Sequence, residues 1–300
     1  MRKLVQLSIA ITLFGTLTAC SNAPVERANQ SLKIVASFYP MAEFARQIAG
    51  DHAEVITLIP AGVEPHDWEP SAKDMETIES ADLLVYNGSG MEGFAEQVID
   101  TLDLQKTSVV EASLSVKKLI TIEEESALDP HVWLSPITAQ QEVIAISNAI
   151  QQKDPTNKKM YVKNTALFLE KLRQLDALFQ VVSTAPKHKE FVTAHAAFGY
   201  IAHDYQLIQV PLSGLSPEQE PSAGQLADVS KLIHDKQIKT IFFETLVSPK
   251  IAETIAKETG SKTAVLNPIE GLTEDELKAG KNYISIMKQN AEALQIALNE

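Results

Sequence analysis

The chain has 300 residues, 45% of them hydrophobic, a formal net charge of −13 and one cysteine. That length holds two domains or one large one, with apolar residues enough for a sizeable core. The acidic balance argues against a nucleic-acid partner, whose phosphates it would repel, and a lone cysteine excludes an intrachain disulfide.

Arg2 and Lys3 give a basic start, and Leu4 to Leu17 is an apolar run too short and wrongly flanked to span a membrane. It ends in LTAC (Leu17, Thr18, Ala19, Cys20), which resembles a bacterial lipobox. The expectation is a lipoprotein signal peptide over residues 1–19, lipid on Cys20, and a polar tether over residues 20–31. The alternative is a plain secretory signal with an incidental cysteine. No second apolar run reaches spanning length, so the body is expected to be held to the membrane by lipid.

From there strands and helices alternate. LKIVASF (Leu32–Phe38) is a predicted strand, Pro40 to Ile48 a helix, AEVITLIP (Ala53–Pro60) a strand, and Ser71 to Ser80 a helix. ADLLVYNGS (Ala81–Ser89) is a buried strand, Met91 to Leu102 a helix, SVVEAS (Ser108–Ser113) a strand, and Ile137 to Gln152 a helix. This pattern predicts a parallel sheet covered on both faces. It then stops. From Asp154 and Pro155, read as an N-cap and a first-turn proline, nothing breaks the helical pattern until Ser183. Tyr161, Thr165, Phe168, Leu172, Leu175 and Phe179 fall on one stripe of a long helix. Alternation resumes with EFVTAH (Glu190–His195), a helix through Tyr205, an extended QVPLSG, a serine-capped helix over Ser222–Asp235, and the strand TIFFE (Thr240–Glu244). A helix over Pro249–Thr259, the strand TAVLNP (Thr263–Pro268) and a closing helix over Asn282–Leu298 complete the chain. The fold class is therefore α/β: two parallel-sheet lobes, residues 32–153 and 184–300, joined by one long helix over 154–183. A single rigid helical connection is expected to limit lobe motion to small tilts.

Several polar residues fall at predicted strand ends: His66, His131, His195, Glu244 and Glu270. Ligands bind outside the carboxyl ends of strands in open parallel sheets. Three imidazoles and a carboxylate suit a tetrahedral Zn²⁺. By spacing alone the signal is weak, since any one histidine is more often an ordinary surface or core residue. Two histidines do share a setting, EPHDWEP around His66 and DPHVWLSP around His131, where prolines and tryptophans stiffen acidic loops. Glu64, Asp67, Glu69 and Asp129 either orient imidazoles there or are solvated loop acids.

Seven stretches carry a family resemblance: VASFYPMAEFARQI, PAGVEPHDWEPS, DPHVWLSP, TAHAAFGYIAHDY, GLSPEQEPSAGQL, IFFETLVSPKIAETIAKETG and VLNPIEGLT. Together, and in this order, they resemble the metal-binding lipoproteins of bacterial ABC importers for zinc and manganese, over nearly the whole mature chain. The resemblance implies two α/β lobes bridged by one helix, with the metal in the cleft and two ligands from each lobe. Carried over, the ligands fall on His66, His131, His195 and Glu270. Manganese members carry a carboxylate where this chain has His195, so the resemblance points to the zinc branch and to Zn²⁺ as transported ligand, with Mn²⁺ the alternative. Many zinc members carry a His-rich loop; here the corresponding TIEEESALDP (Thr121–Pro130) is acidic and holds no histidine. Further implications are a membrane permease with a cytoplasmic ATPase as partner, anchorage on the extracytoplasmic face, a monomer, and no enzymatic activity.

His52, His188, His203 and His234 are expected at the surface. Glu244 either supports a ligand or is a structural hydrogen-bond acceptor. Glu270 is expected to face other acids when no cation is bound. Two further readings compete: a zinc hydrolase with Glu244 as base, disfavoured by the lack of HExxH, and an organic-solute binder, disfavoured by the long helix.

Overall fold

A computed structural model describes residues 31–120 and 127–300; the predicted leader, Cys20 and all of the predicted tether but Ser31 lie outside these, as do residues 121–126 of the acidic stretch. The N-terminal lobe runs β1 (Leu32–Ala36), α1 (Tyr39–Ala49), β2 (Ala53–Thr57), α2 (Ala72–Glu79), β3 (Leu83–Tyr86), α3 (Ala95–Thr101), β4 (Ser108–Glu111) and α4 (Pro136–Lys153). After α5 (Lys158–Val182) come β5 (Glu190–Thr193), α6 (Gly199–Asp204), β6 (Ile208–Pro211), α7 (Ala223–Lys236), β7 (Thr240–Phe243), α8 (Lys250–Thr259), β8 (Lys262–Val265), α9 (Glu274–Lys278) and α10 (Tyr283–Ala297).

Each lobe carries one four-stranded parallel sheet, and the two share a strand order: β2-β1-β3-β4 and β6-β5-β7-β8. The central strands are buried on both faces, with Ile34, Val35 and Ala36 of β1 all inaccessible, as continuous apolar runs require. Registers run from Leu32 opposite Ala53 to Ala36 opposite Thr57, and from Glu190 opposite Ile208 to Thr193 opposite Pro211. The first three residues of QVPLSG, with Ile208 before them, form β6, and Pro211 is tolerated because β6 is an edge strand.

Helix starts follow from local chemistry. Ser71, Ser222, Thr273 and Asn282 each accept from the backbone N–H three residues on and donate their own backbone N–H to that residue's side chain. The Thr273–Glu276 box starts α9, a short helix that apolar periodicity alone does not predict. At the far end of α8, Gly260 takes φ 71° and terminates the helix.

The linking helix differs from expectation at its start. Asp154 follows α4 and caps the turn between the helices: its carboxylate accepts from Thr156 N, Asn157 N, Asn157 Nδ2 and Tyr161 Oη. Helix α5 then begins at Lys158 and has 25 residues, about 37 Å at the usual rise. Its stripe Tyr161, Thr165, Phe168, Leu172, Leu175 and Phe179 is buried throughout and packs on α1, α4 and α10. The largest apolar cluster therefore runs from Ile34 and Phe44 in one lobe through α5 to Phe191 and Leu294 in the other. A continuous core of this kind opposes wide separation of the lobes.

Candidate metal centre

His131 and His195 are inaccessible, Glu270 is 1% exposed, and the His66 side chain is 9% exposed. One nitrogen of each imidazole and one oxygen of Glu270 lie within 4.8 Å of one another. Glu270 Oε1 stands 3.4 Å from His66 Nε2, 3.3 Å from His131 Nε2 and 3.2 Å from His195 Nε2. His131 Nε2 and His195 Nε2 are 3.3 Å apart. The edge of a tetrahedron with bonds of 2.0–2.1 Å is about 3.3–3.4 Å, so these four separations, of the six in a four-ligand shell, match a tetrahedral Zn²⁺ edge.

The loops explain why the atoms converge. His66 leaves β2 in a loop where both Glu64 oxygens accept its backbone N–H at 3.1 Å. Trp68 packs edge-on against Phe94, and Gly62 N donates across the cleft to Leu272 O at 2.9 Å. At His131, Asp129 Oδ1 accepts from both the backbone N and ring Nδ1, each at 2.9 Å. A Cβ on Gly199, at the start of α6, would lie 2.3 Å from Asp129 Oδ2, so a side chain there would have to displace this carboxylate. At His195, Glu244 Oε1 accepts from the backbone N at 3.2 Å and from Nδ1 at 2.6 Å. The His195 carbonyl is held in turn by Thr193 Oγ1 and Gln209 Nε2. Carboxylates on Nδ1 place the ring proton there and turn the Nε2 lone pairs of His131 and His195 into the cleft.

The electrostatics follow from burial and charge together. Burial alone would lower the pKa of His195, but Glu244 and Glu270 overcome it and hold that imidazole well above its ordinary value. For His131 burial is likewise outweighed, by Asp129 and Glu270, and the pKa is raised. Burial would raise the Glu270 pKa, yet His195 and the two other imidazoles draw it well below the usual carboxylate range. Glu270 thus stands among imidazoles rather than acids, contrary to the expectation from sequence. The same field that attracts protons here attracts a divalent cation, and the two compete.

Other candidates fall away from this cluster. Asp67 and Glu69 are exposed loop acids. His203 and His234 are exposed, His203 pairing with Asp204. His52 and His188 are half-buried rather than exposed, and His52 packs edge-on against Tyr161. Glu244, left open by sequence, is buried behind His195; a strand-end acid one residue beyond TIFF was the available signal, but not its partner.

A model of the ZnuA family, described as zinc-uptake complex component A, periplasmic, matches residues 34–297. The chain is 42% identical over 308 residues to the high-affinity zinc uptake system protein ZnuA of Bacillus subtilis (strain 168), covering 97% of each. It is 43% identical over 305 residues to the zinc-binding lipoprotein AdcA of Streptococcus pneumoniae (strain R6), covering 98% of this chain but only 60% of that longer protein. The crystal structure of the Zn(II)-bound ZnuA-like domain of AdcA superposes with a TM-score of 0.80 at 44% identity, over 90% of this chain and all of that domain.

Proposed function

Because this chain belongs to the ZnuA family of zinc-uptake components, we propose that it captures Zn²⁺ outside the cytoplasm, through His66, His131, His195 and Glu270, and delivers it to an ABC transporter permease. The observation that carries this reading is the set of 3.2–3.4 Å separations around Glu270 Oε1, which fit a four-coordinate shell of three neutral nitrogens and one anionic oxygen. Four protein ligands leave no open position for an activated water, which suits a cargo that is held and passed on. Glu244 is committed to the far side of His195 and does not face the cleft as a base, which weighs against a hydrolase. His195 in place of a carboxylate weighs against manganese, which prefers harder oxygen ligands. Anchorage by lipid on Cys20, a permease served by a cytoplasmic ATPase, and action as a monomer complete the proposal.

Competition binding of Zn²⁺ against Mn²⁺ to the lipid-free chain from Ser21 onward tests it. One tightly bound Zn²⁺ per chain, with Mn²⁺ far weaker, is the expected result. Equal affinities would overturn the zinc assignment.

A further inference from the structure

Trp133 lies two residues after His131, is fully buried, and donates its indole N–H to Pro268 O at 2.8 Å. Glu270 lies two residues after Pro268. One hydrogen bond therefore joins the ligand loops of the two lobes, each end two residues from a ligand proposed above. Trp133 is itself fixed: Tyr283 Oη donates to its carbonyl at 2.5 Å, and its ring packs edge-on against Phe38 with centroids 4.9 Å apart.

Between Pro268 and Glu270 stands Ile269, inaccessible and at φ 55°. A β-branched residue is rarely found in this left-handed region, and it persists there only where the surroundings over-determine it. They do so here. Asn267 Oδ1 accepts from Ile269 N at 2.7 Å, and Asn267 Nδ2 donates to Glu276 Oε1 at 3.2 Å. Asn290 accepts from Asn267 N at 2.9 Å and donates to Asn267 O at 2.7 Å. The turn so enforced lets the Pro268 carbonyl meet Trp133 while the Glu270 carboxylate meets three imidazoles. No helix or strand runs through residues 266–273 to require such a turn, so its consequence is the placement of Glu270.

We propose that Trp133 and the Asn267–Ile269 turn are positioning elements that fix the separation of His131 and Glu270 across the lobes, and thereby discriminate Zn²⁺ from Mn²⁺. The inference rests on the ligand assignment above. A rigid edge of this length favours a small four-coordinate ion; a looser one readmits an ion that prefers more ligands and oxygen donors. Trp133 touches no metal itself: its ring packs tilted against that of His131 with centroids 5.3 Å apart, while its N–H acts through the Glu270 loop.

Trp133→Phe keeps an aromatic ring and removes the N–H. The expected result is one Zn²⁺ still bound per chain, with affinity lowered about tenfold or more, and with Mn²⁺ affinity lowered much less, so that the ratio narrows. In a Glu270→Gln background the same change is expected to cost less than about threefold, because the residue it positions is already altered. An equal loss in both backgrounds, or an equal loss for both metals, would overturn the proposal and leave Trp133 a packing residue. If Trp133→Phe fails to fold, Asn267→Ala, which releases Ile269 N, carries the same cycle. Failure of the ligand assignment would show differently, as absence of one-to-one Zn²⁺ binding by the unmutated chain.

Discussion

In the N-terminal lobe Asp129 sits two residues before His131, and one of its oxygens accepts both the backbone and the ring N–H. In the C-terminal lobe the same two hydrogens of His195 go to Glu244, 49 residues away at the end of a neighbouring strand. His66 has only the first half of this arrangement: Glu64 takes its backbone N–H, and among the described residues no carboxylate reaches its Nδ1. It is also the one imidazole of the three with measurable exposure. Two imidazoles are thus preset by buried carboxylates, one through its own loop and one through the sheet, while the third stands on a stiff loop at the rim. The buried pair is held at both the backbone and Nδ1, while His66 is held through its backbone and, at the ring, by Glu270.

Removing the two carboxylates in turn separates the local tie from the sheet-borne one. Asp129→Ala and Glu244→Ala are each expected to weaken Zn²⁺ binding by about 10–100-fold, because ring orientation and tautomer are lost. Their effects on the metal-free fold should differ. Glu244 ties β7 to the end of β5, so its loss leaves two buried donors of His195 unpaired and costs about 1–3 kcal/mol. Asp129→Ala leaves the same two donors of His131 unpaired, but the tie it breaks lies within one loop and not between two strands, so its cost should fall at the lower end of that range. Calorimetric zinc titration with thermal melts of the metal-free variants checks both; equal melting points would mean that the sheet-borne tie is no more structural than the local one.

The pH response sharpens the same contrast, since protons and metal compete for the buried pair. With their pKa values raised, His131 and His195 contribute to metal-free stability fully below the unfolded histidine value of about 6.5, and that contribution is lost as pH rises through their folded values. Glu270, held low, contributes above the unfolded carboxylate value of about 4.3 and loses its contribution as pH falls through its folded value. This cluster's contribution is therefore greatest between about pH 5 and 6.5. Zinc affinity should run the other way, rising about tenfold per pH unit for each proton displaced until both rings are neutral. Titrations in buffers of different ionisation enthalpy measure the protons released; zinc binding without proton release near neutral pH would contradict the raised histidines.

How legible each half was follows from where its partners lie in the chain. Asp129 and His131 share the tripeptide DPH, and both the acid and the histidine were marked from sequence. The stripe on α5 was equally plain, because helical periodicity is local and all six stripe residues are buried. Glu244 was seen as a strand-end acid, but a pairing between neighbouring strands leaves no trace in either segment. The Trp133–Pro268 bond spans 135 residues and was invisible for the same reason. The left-handed Ile269 contradicts its own propensity, so only tertiary structure reveals it. The shared strand order of the two lobes was hidden too, since backbone topology recurs here without a repeat in side chains.

A buried carboxylate with no imidazole to hold supplies the smallest and cleanest contrast. Glu142 on α4 is inaccessible, and among the described residues neither of its oxygens has a hydrogen-bond partner. Burial, with Glu92 adding to it, lifts its pKa well above the usual range against the weaker pull of Lys118. An acid raised in the folded state stays protonated there while the unfolded chain ionises, so stability is intact below about pH 4.3 and is lost as pH rises toward the folded value. Asp129 and Glu244 are buried to a similar degree, yet each answers two donors. If partnership rather than burial separates them, Glu142→Met should fill the same space, leave zinc stoichiometry and affinity unchanged, and raise stability by about 1–3 kcal/mol. The gain should be larger at pH 8 than at pH 4.5, because only the unmutated protein loses stability over that range through this group. Melts of both proteins at the two pH values decide it. A destabilised Glu142→Met at pH 8 would mean that this carboxyl, like the other two, has a structural task in the N-terminal lobe.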